Sequence, residues 1–245
     1  MKRVMLKVAY DGTNYHGWQI QPNVVTIESV LNETLSALFQ EEIKVIGASR
    51  TDTGVHAFGN IAVFDTNARM PADKMSYALN QKLPEDIRIQ LSMEVAPDFH
   101  PRHQNSRKTY EYKILNCAFP MPVYRLYSYF TYVRLDVGKM REAASCLVGE
   151  HDFKSFCSAK TVAETTVRTI YDIHVEKAGD MICVRITGSG FLYNMVRIIV
   201  GTLMEAGKGK IAPKDMTDIL NACNREKAGP TLPACGLTLI GYEYL

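Results

Sequence analysis

The first 95 residues switch hydrophobic period in a fixed order, and that order constrains the fold more than any other feature of the chain. Over 2–10, Val4, Leu6, Val8 and Tyr10 alternate with more polar neighbours and run into Asp11-Gly12, the pattern of a half-buried strand ending in a turn. From Thr26 the period lengthens. Ile27, Val30, Leu31, Leu35, Leu38 and Phe39 fall on one helical face, with Thr26 as N-cap and an end near Gln40. A short strand over 43–47, a connection over 50–54 and a strand over 58–65 carrying Ile61 and Val63 come next. A second helix is predicted after Pro71, through Met75, Ala78, Leu79 and Leu83, with Pro84 stopping it before a strand over 87–95.

The order strand, helix, strand, strand, helix, strand has a counterpart in the second half of the chain. Strands are expected near 107–116 and 127–134, a helix from Asp136 to about Leu147, and strands near 168–176 and 181–187. Helices near 191–206 and 213–224 precede a last strand over 237–244. No sequence identity links the halves, so duplication is inferred from element order alone. Two ferredoxin-like (βαββαβ-type) halves with antiparallel or mixed sheets make an α+β fold. The segment 97–108, rich in proline and polar residues, is the expected link. It places an N-terminal half over 1–100 and a C-terminal half over 101–245.

Composition narrows the class without identifying it. With 47% hydrophobic and 22% charged residues, the chain is neither wholly disordered nor fibrous. Its first ten residues interleave charge with apolar side chains, unlike a signal peptide, and no apolar run reaches transmembrane length. A cytoplasmic protein with no membrane association is expected. Six cysteines lie far apart without a Cys-x-x-Cys pair, so they read as core residues in a reducing compartment. His100 and His103 are neighbours, but Pro101 between them disfavours a helical metal pair. A net charge of +2 is too mild to mark a nucleic-acid binder, which leaves local clustering as the informative property.

Three residues stand out chemically. Asp52 lies in a connection between strands, flanked by Thr51 and Thr53, with Arg50 and Gly54 each two positions away; on local grounds it is an ordinary turn aspartate. Arg197 interrupts a stretch, 191–204, that is apolar nearly all round, and must either snorkel to water or meet an anion. If that anion were Asp52, the cation would hold the carboxylate ionised, and an ionised, partly desolvated carboxylate is a competent nucleophile. Tyr110 sits where aromatic and basic residues interleave, in Ser106-Arg107-Lys108-Thr109-Tyr110-Glu111-Tyr112-Lys113. That pattern suits a base stacked on a ring beside bound phosphates, or equally a strand turning Tyr110 and Tyr112 toward a core.

The stretch Gly47-Ala48-Ser49-Arg50-Thr51-Asp52-Thr53-Gly54-Val55-His56-Ala57 resembles the signature of the tRNA pseudouridine synthase A family. Four more segments are similar to that family in the family's order: Tyr10-Asp11-Gly12-Thr13-Asn14-Tyr15-His16-Gly17-Trp18-Gln19, the run from Arg107 to Tyr112, Gly149-Glu150-His151-Asp152-Phe153, and Gly190-Phe191-Leu192-Tyr193-Asn194-Met195-Val196-Arg197. So is Pro233-Ala234-Cys235-Gly236-Leu237 near the end. The chain departs at Ser49, where the family commonly has Gly, and at Thr53, where it commonly has Ala; a serine favours negative φ, so some reshaping of the loop is expected.

The resemblance implies the pseudouridine synthase fold and an isomerase that converts uridine to pseudouridine in tRNA, at positions 38, 39 or 40 of the anticodon arm. It implies Asp52 as nucleophile, Arg197 as its ionic partner, Tyr110 as the ring against the target base, and Arg50 holding the flipped-out nucleotide. Breaking the bond from ribose C1′ to N1 and joining C1′ to C5 needs no oxidation or transfer, so neither a metal nor a small-molecule cofactor is expected. A homodimer with one tRNA across both subunits is also implied. The basic segment 102–113, with Lys154, Lys160 and Arg168, is the candidate phosphate contact. Two rival readings stand beside this one. A non-catalytic RNA-binding protein on the same fold would have little use for Asp52, and a glycosidic hydrolase would need a second carboxylate that the chain does not clearly offer.

Overall fold

In a computed structural model of the protein, residues 1–158 and 164–245 are described. They form two compact units, one of residues 1–106 with 238–245 and the other of 107–237. The class is α+β, as expected.

The first unit is built on β1 (Lys2–Tyr10), β3 (His56–Thr66) and β4 (Ile87–Val95), with β1 antiparallel to both neighbours. The free edge of β3 carries two short partners. β2 (Ile46–Gly47) runs antiparallel beside Val63 and Ala62, and β10 (Leu237–Tyr244) runs parallel beside His56 and Ala57. The alternation read in β1 is real: Val4, Leu6 and Val8 are fully buried. α1 (Ile27–Phe39) buries Leu31 and Leu35, and α2 (Ala72–Asn80), packed on β4, buries Met75 and Leu79. Burying one such side chain contributes roughly 1.5–3 kcal/mol, so these faces decide where the sheet lies.

The start of α1 is where the sequence puts it. Thr26 accepts from the Ser29 amide, and Ser29 Oγ accepts from the Thr26 amide, a closed capping box; Gln40 ends the helix in the left-handed region at φ 56°. The expected strand over 43–47 shrinks to two residues because α1 takes its amides. Ile43 N donates to Ser36 Oγ at 3.0 Å and Val45 N to Asn32 Oδ1 at 2.8 Å, so the backbone there is satisfied by side chains instead of a ladder.

The second unit holds β5 (Ser106–Asn116), β9 (Met181–Gly188), β8 (Val167–Ala178) and β7 (Gly149–Asp152) in that spatial order, all antiparallel, with β6 (Tyr129–Thr131) parallel to β5. β7 is a strand that hydrophobic alternation does not reveal. α3 (Val137–Ser145) is capped by Asp136, which accepts from Lys139 N at 3.1 Å. α4 (Met195–Gly207) starts four residues later than the apolar run suggests, since Asn194 takes a left-handed conformation (φ 61°) that a continuing helix cannot contain. α5 (Asp215–Asn221) follows. Gly201 and Gly229 let the segment before Pro230 lie directly on α4: a Cβ on Gly201 would stand 1.9 Å from the Pro230 carbonyl oxygen.

Candidate active site

The Asp52 connection is a short loop of the first unit. Val55 N donates to Asp52 O at 3.1 Å, closing a turn, and Gly54 supplies the positive φ of 77° that the turn requires. Beneath it runs the segment 10–19. Trp18 N donates to Thr51 O at 3.0 Å and Gly54 N to Tyr15 O at 3.3 Å, so backbone bonds tie the two segments together on both sides of Asp52. Their approach is closer than any side chain allows. A Cβ on Gly17, whose φ is +82°, would meet Thr51 O at 2.6 Å, and one on Gly12 would meet Val55 O at 2.0 Å. This contact brings the two most extended motifs of the first half together.

Side chains complete the cradle. Tyr10 OH and Thr51 Oγ1 are hydrogen-bonded at 2.7 Å, and Asn60, buried on β3, donates from Nδ2 to the Tyr10 hydroxyl at 3.3 Å. The same Asn60 amide serves Ser49 as a backbone would: its Oδ1 accepts from Ser49 N at 3.2 Å, and its Nδ2 donates to Ser49 O at 3.0 Å. Ser49 Oγ is hydrogen-bonded to the hydroxyl of Tyr242 on β10. Ser49 keeps an ordinary negative φ, so the loop accommodates it without backbone strain. Tyr15 packs under the loop with its hydroxyl donating to Asp86 at 2.5 Å; burial and that carboxylate push its pKa well above the ordinary tyrosine range.

Arg50 is exposed on this loop and Asp52 is half-buried. At the loop's far end His56 Nδ1 faces two groups, the Gly12 amide at 3.1 Å and Asp11 Oδ1 at 3.0 Å. Asp11 Oδ1 also accepts from Thr13 N at 3.0 Å and from Thr13 Oγ1 at 2.5 Å.

The second unit places Tyr110 and Arg197. Tyr110 lies on β5 opposite Ile186, 8% exposed, with its ring edge-on to Phe191 at 5.1 Å and 82°. The motif residue Phe191 thus belongs with Tyr110. Arg197, in the first turn of α4, does not simply snorkel. Its Nε donates to Leu232 O at 2.6 Å and its Nη1 to Asn194 Oδ1 at 2.8 Å, while Asn194 Nδ2 in turn donates to Ser158 Oγ at 2.8 Å. The left-handed turn at Asn194 aims its amide at the guanidinium. Past Leu232, the motif Pro233-Ala234-Cys235-Gly236 clamps β5: Tyr112 OH donates to Pro233 O at 2.7 Å, and a Cβ on Gly236 would lie 2.6 Å from the Tyr112 ring. Burial lifts the Tyr112 and Cys235 pKa values, and the Arg197 charge opposes both shifts.

Of the remaining basic candidates, Arg168 spends Nη1 on the carbonyls of Thr165 and Val167, and Lys160 lies outside the described residues. Reasoning from sequence missed Asn60 and Tyr242, and gave Tyr10 no role at the loop. A polar residue inside the apolar alternation of β3 is the one signal that could have marked Asn60.

The first unit cradles a loop-borne aspartate with buried polar side chains, the second holds Tyr110 and Arg197, and comparison with known proteins shows which class of α+β enzyme this is. The family model described as tRNA pseudouridine synthase matches residues 7–104 and 143–244, and the chain belongs to that family. It is 48% identical over 244 residues to the tRNA pseudouridine synthase A of Thermoanaerobacter sp. strain X514, covering all of both chains. It is 50% identical to the protein of the same name from Brevibacillus brevis, covering 98% of each, and 47% identical to that of Acetivibrio thermocellus, covering all of both. A solved structure titled as the archaeal box H/ACA sRNP Nop10-Cbf5 complex overlaps 96% of this chain and 46% of its own, at a TM-score of 0.34 and 11% identity.

No helix among the described residues is long and apolar enough to cross a membrane. Among them, too, no group of three or more His, Cys, Asp or Glu residues is placed to hold a metal ion. His100 and His103 stack on each other at 3.8 Å.

Proposed function

We propose that the protein isomerises uridine to pseudouridine in the anticodon arm of tRNA, at one or more of positions 38, 39 and 40, with Asp52 as the nucleophile. The observation that carries this reading is the investment in one short loop. Buried Asn60, Thr51 and Tyr10 hold the backbone at Ser49 and Thr51, just before Asp52, while Asp52 itself stays half-buried. A turn aspartate with no chemical task needs no such support.

Reaction at Asp52 requires the carboxylate to be ionised, and Arg197 is the cation proposed to keep it so. Tyr110 packs against the target base, steadied edge-on by Phe191. Arg50, exposed beside the nucleophile, fills the space that the flipped nucleotide leaves, offsetting part of an unstacking cost of a few kcal/mol. Docking by shape and backbone contacts fits a protein of mild net charge, and a homodimer presenting one tRNA to both subunits completes the proposal. The working compartment is the cytoplasm.

Formation of pseudouridine displaces the hydrogen on uracil C5. Incubation with tRNA carrying tritium at that carbon releases label with the wild-type protein and none with Asp52→Ala. Binding without release would identify an RNA-binding protein. Free uracil with its label retained would identify a glycosidic hydrolase.

A further inference from the structure

We infer that Arg102 binds a backbone phosphate of the RNA substrate, beside the nucleotide that Arg50 holds. The inference rests on the reading of tRNA as substrate and narrows the basic segment 102–113 to one residue and one contact.

Arg102 lies in the polar segment 97–105 that follows β4, and its side chain reaches back to the strand feeding the Asp52 loop. Its Nε donates to the carbonyl of Gly47 at 2.7 Å, three residues before Arg50 and five before Asp52. That bond fixes the plane of the guanidinium and leaves its Nη1 and Nη2 edge uncommitted, the edge that takes a phosphate with two parallel bonds. Among the described residues no carboxylate pairs with Arg102, and none pairs with Arg50. The two guanidiniums stand near enough for Arg50 to depress the pKa of Arg102, after burial, which is the larger cause.

Two like charges held beside one loop are an unfavourable arrangement that an anion between them would relieve. Glu28 is the acidic residue whose charge Arg102 feels, but it makes no ion pair with Arg102; its Oε2 accepts from the Ile20 amide at 2.9 Å. His100 and His103 add no countercharge, and His100 is pushed below the ordinary histidine range by burial, His103 and Arg102. The aromatic rings of Phe99 and Tyr244, edge to face at 5.4 Å, together with the Arg3 Nη1 bond to Phe99 O at 3.0 Å, anchor the segment from which Arg102 projects. The cation is therefore held in place before substrate arrives, which lowers the ordering cost of binding.

The test is the salt dependence of binding an unmodified tRNA transcript, for wild type, Arg102→Ala, Arg102→Lys and the remote control Lys44→Ala. Each phosphate neutralised contributes about 0.7 to the slope of log K against log salt on single-stranded RNA. Arg102→Ala is expected to lose about one such increment and on the order of tenfold in affinity at low salt. Arg102→Lys, which keeps the charge, is expected to retain the slope, and Lys44→Ala to match wild type.

A slope unchanged in Arg102→Ala, whether or not turnover falls, would overturn the inference and leave Arg102 only as a support for Gly47. Should Arg102→Ala fail to fold, Arg102→Gln against Arg102→Lys makes the same comparison: a shallower slope in Gln alone supports the contact, and equal slopes refute it. Tritium release by the wild type is measured in parallel, so that a wild type releasing no label counts against the reaction and not against the phosphate contact.

Discussion

The side-chain amide of Asn60 hydrogen-bonds both the N–H and the carbonyl of Ser49, three residues before Asp52. A strand residue thereby acts as the ladder partner that the loop lacks, and it does so fully buried. Replacing Asn60 with leucine removes both bonds and strands two buried backbone groups. The expected loss is roughly 2–4 kcal/mol of stability, read by urea denaturation. In protein that still folds, kcat for tritium release should fall at least tenfold with KM little changed. A fall in stability with kcat intact would show that Asn60 supports the fold and not the loop.

Gly17 meets the same loop from below. Gly17→Ala introduces a methyl 2.6 Å from Thr51 O at a φ of +82°, so it carries both a clash and backbone strain. A cost of about 1–3 kcal/mol is expected, together with a loss of turnover that exceeds the loss of tRNA affinity. A melting temperature within a degree of wild type would refute the close approach.

Arg197 has two structural bonds as well as its proposed ionic role, and the substitution must separate them. Arg197→Met should nearly abolish turnover and also destabilise the second unit by about 1–2 kcal/mol, since the Leu232 carbonyl loses its donor. Arg197→Lys can keep the charge but not both bonds, so it should recover part of the turnover. A large loss of tRNA binding with turnover unchanged would count against the ionic role.

Stability at acid pH reports a different pair. Arg3 Nε and Nη2 bond Asp65 Oδ1 and Oδ2 at 2.8 and 2.7 Å, and the Arg3 hydrogen bond holds the Asp65 carboxyl below its ordinary pKa. A depressed carboxylate pKa stabilises the fold above the unfolded value of about 3.9 and loses that contribution as pH falls through the folded value. Asp65→Asn should therefore cost about 0.5–1 kcal/mol at pH 7, reduced by the partial exposure of the pair, and nothing measurable near pH 2. A cost independent of pH in denaturation curves would exclude the ion pair as its source.

Much of the fold was legible in the sequence, for local reasons. The capping box at Thr26 and the alternation of β1 depend on residues within a few positions of each other, and both stand in the structure where they were expected. Expectations failed where a side chain or an unusual φ intervened: Asn32 and Ser36 replaced the start of β2, and left-handed Asn194 delayed α4. β7 escaped because Gly149-Glu150-His151-Asp152 carries no alternation, and it forms by pairing with β8.

By itself the sequence determined the element order, the helix start at Thr26, the kinship of the chain and the identity of Asp52 as the residue to watch, since periodicity, capping and motif spacing are local or countable properties. Only the tertiary structure decided what holds Asp52 in place. Tyr10 reaches Thr51 across 41 positions, Asn60 reaches Ser49 across 11, and Tyr242 reaches Ser49 across 193. Such partners are set by which strands neighbour one another and by the need to satisfy every buried polar group, and neither is written at any single position of the chain.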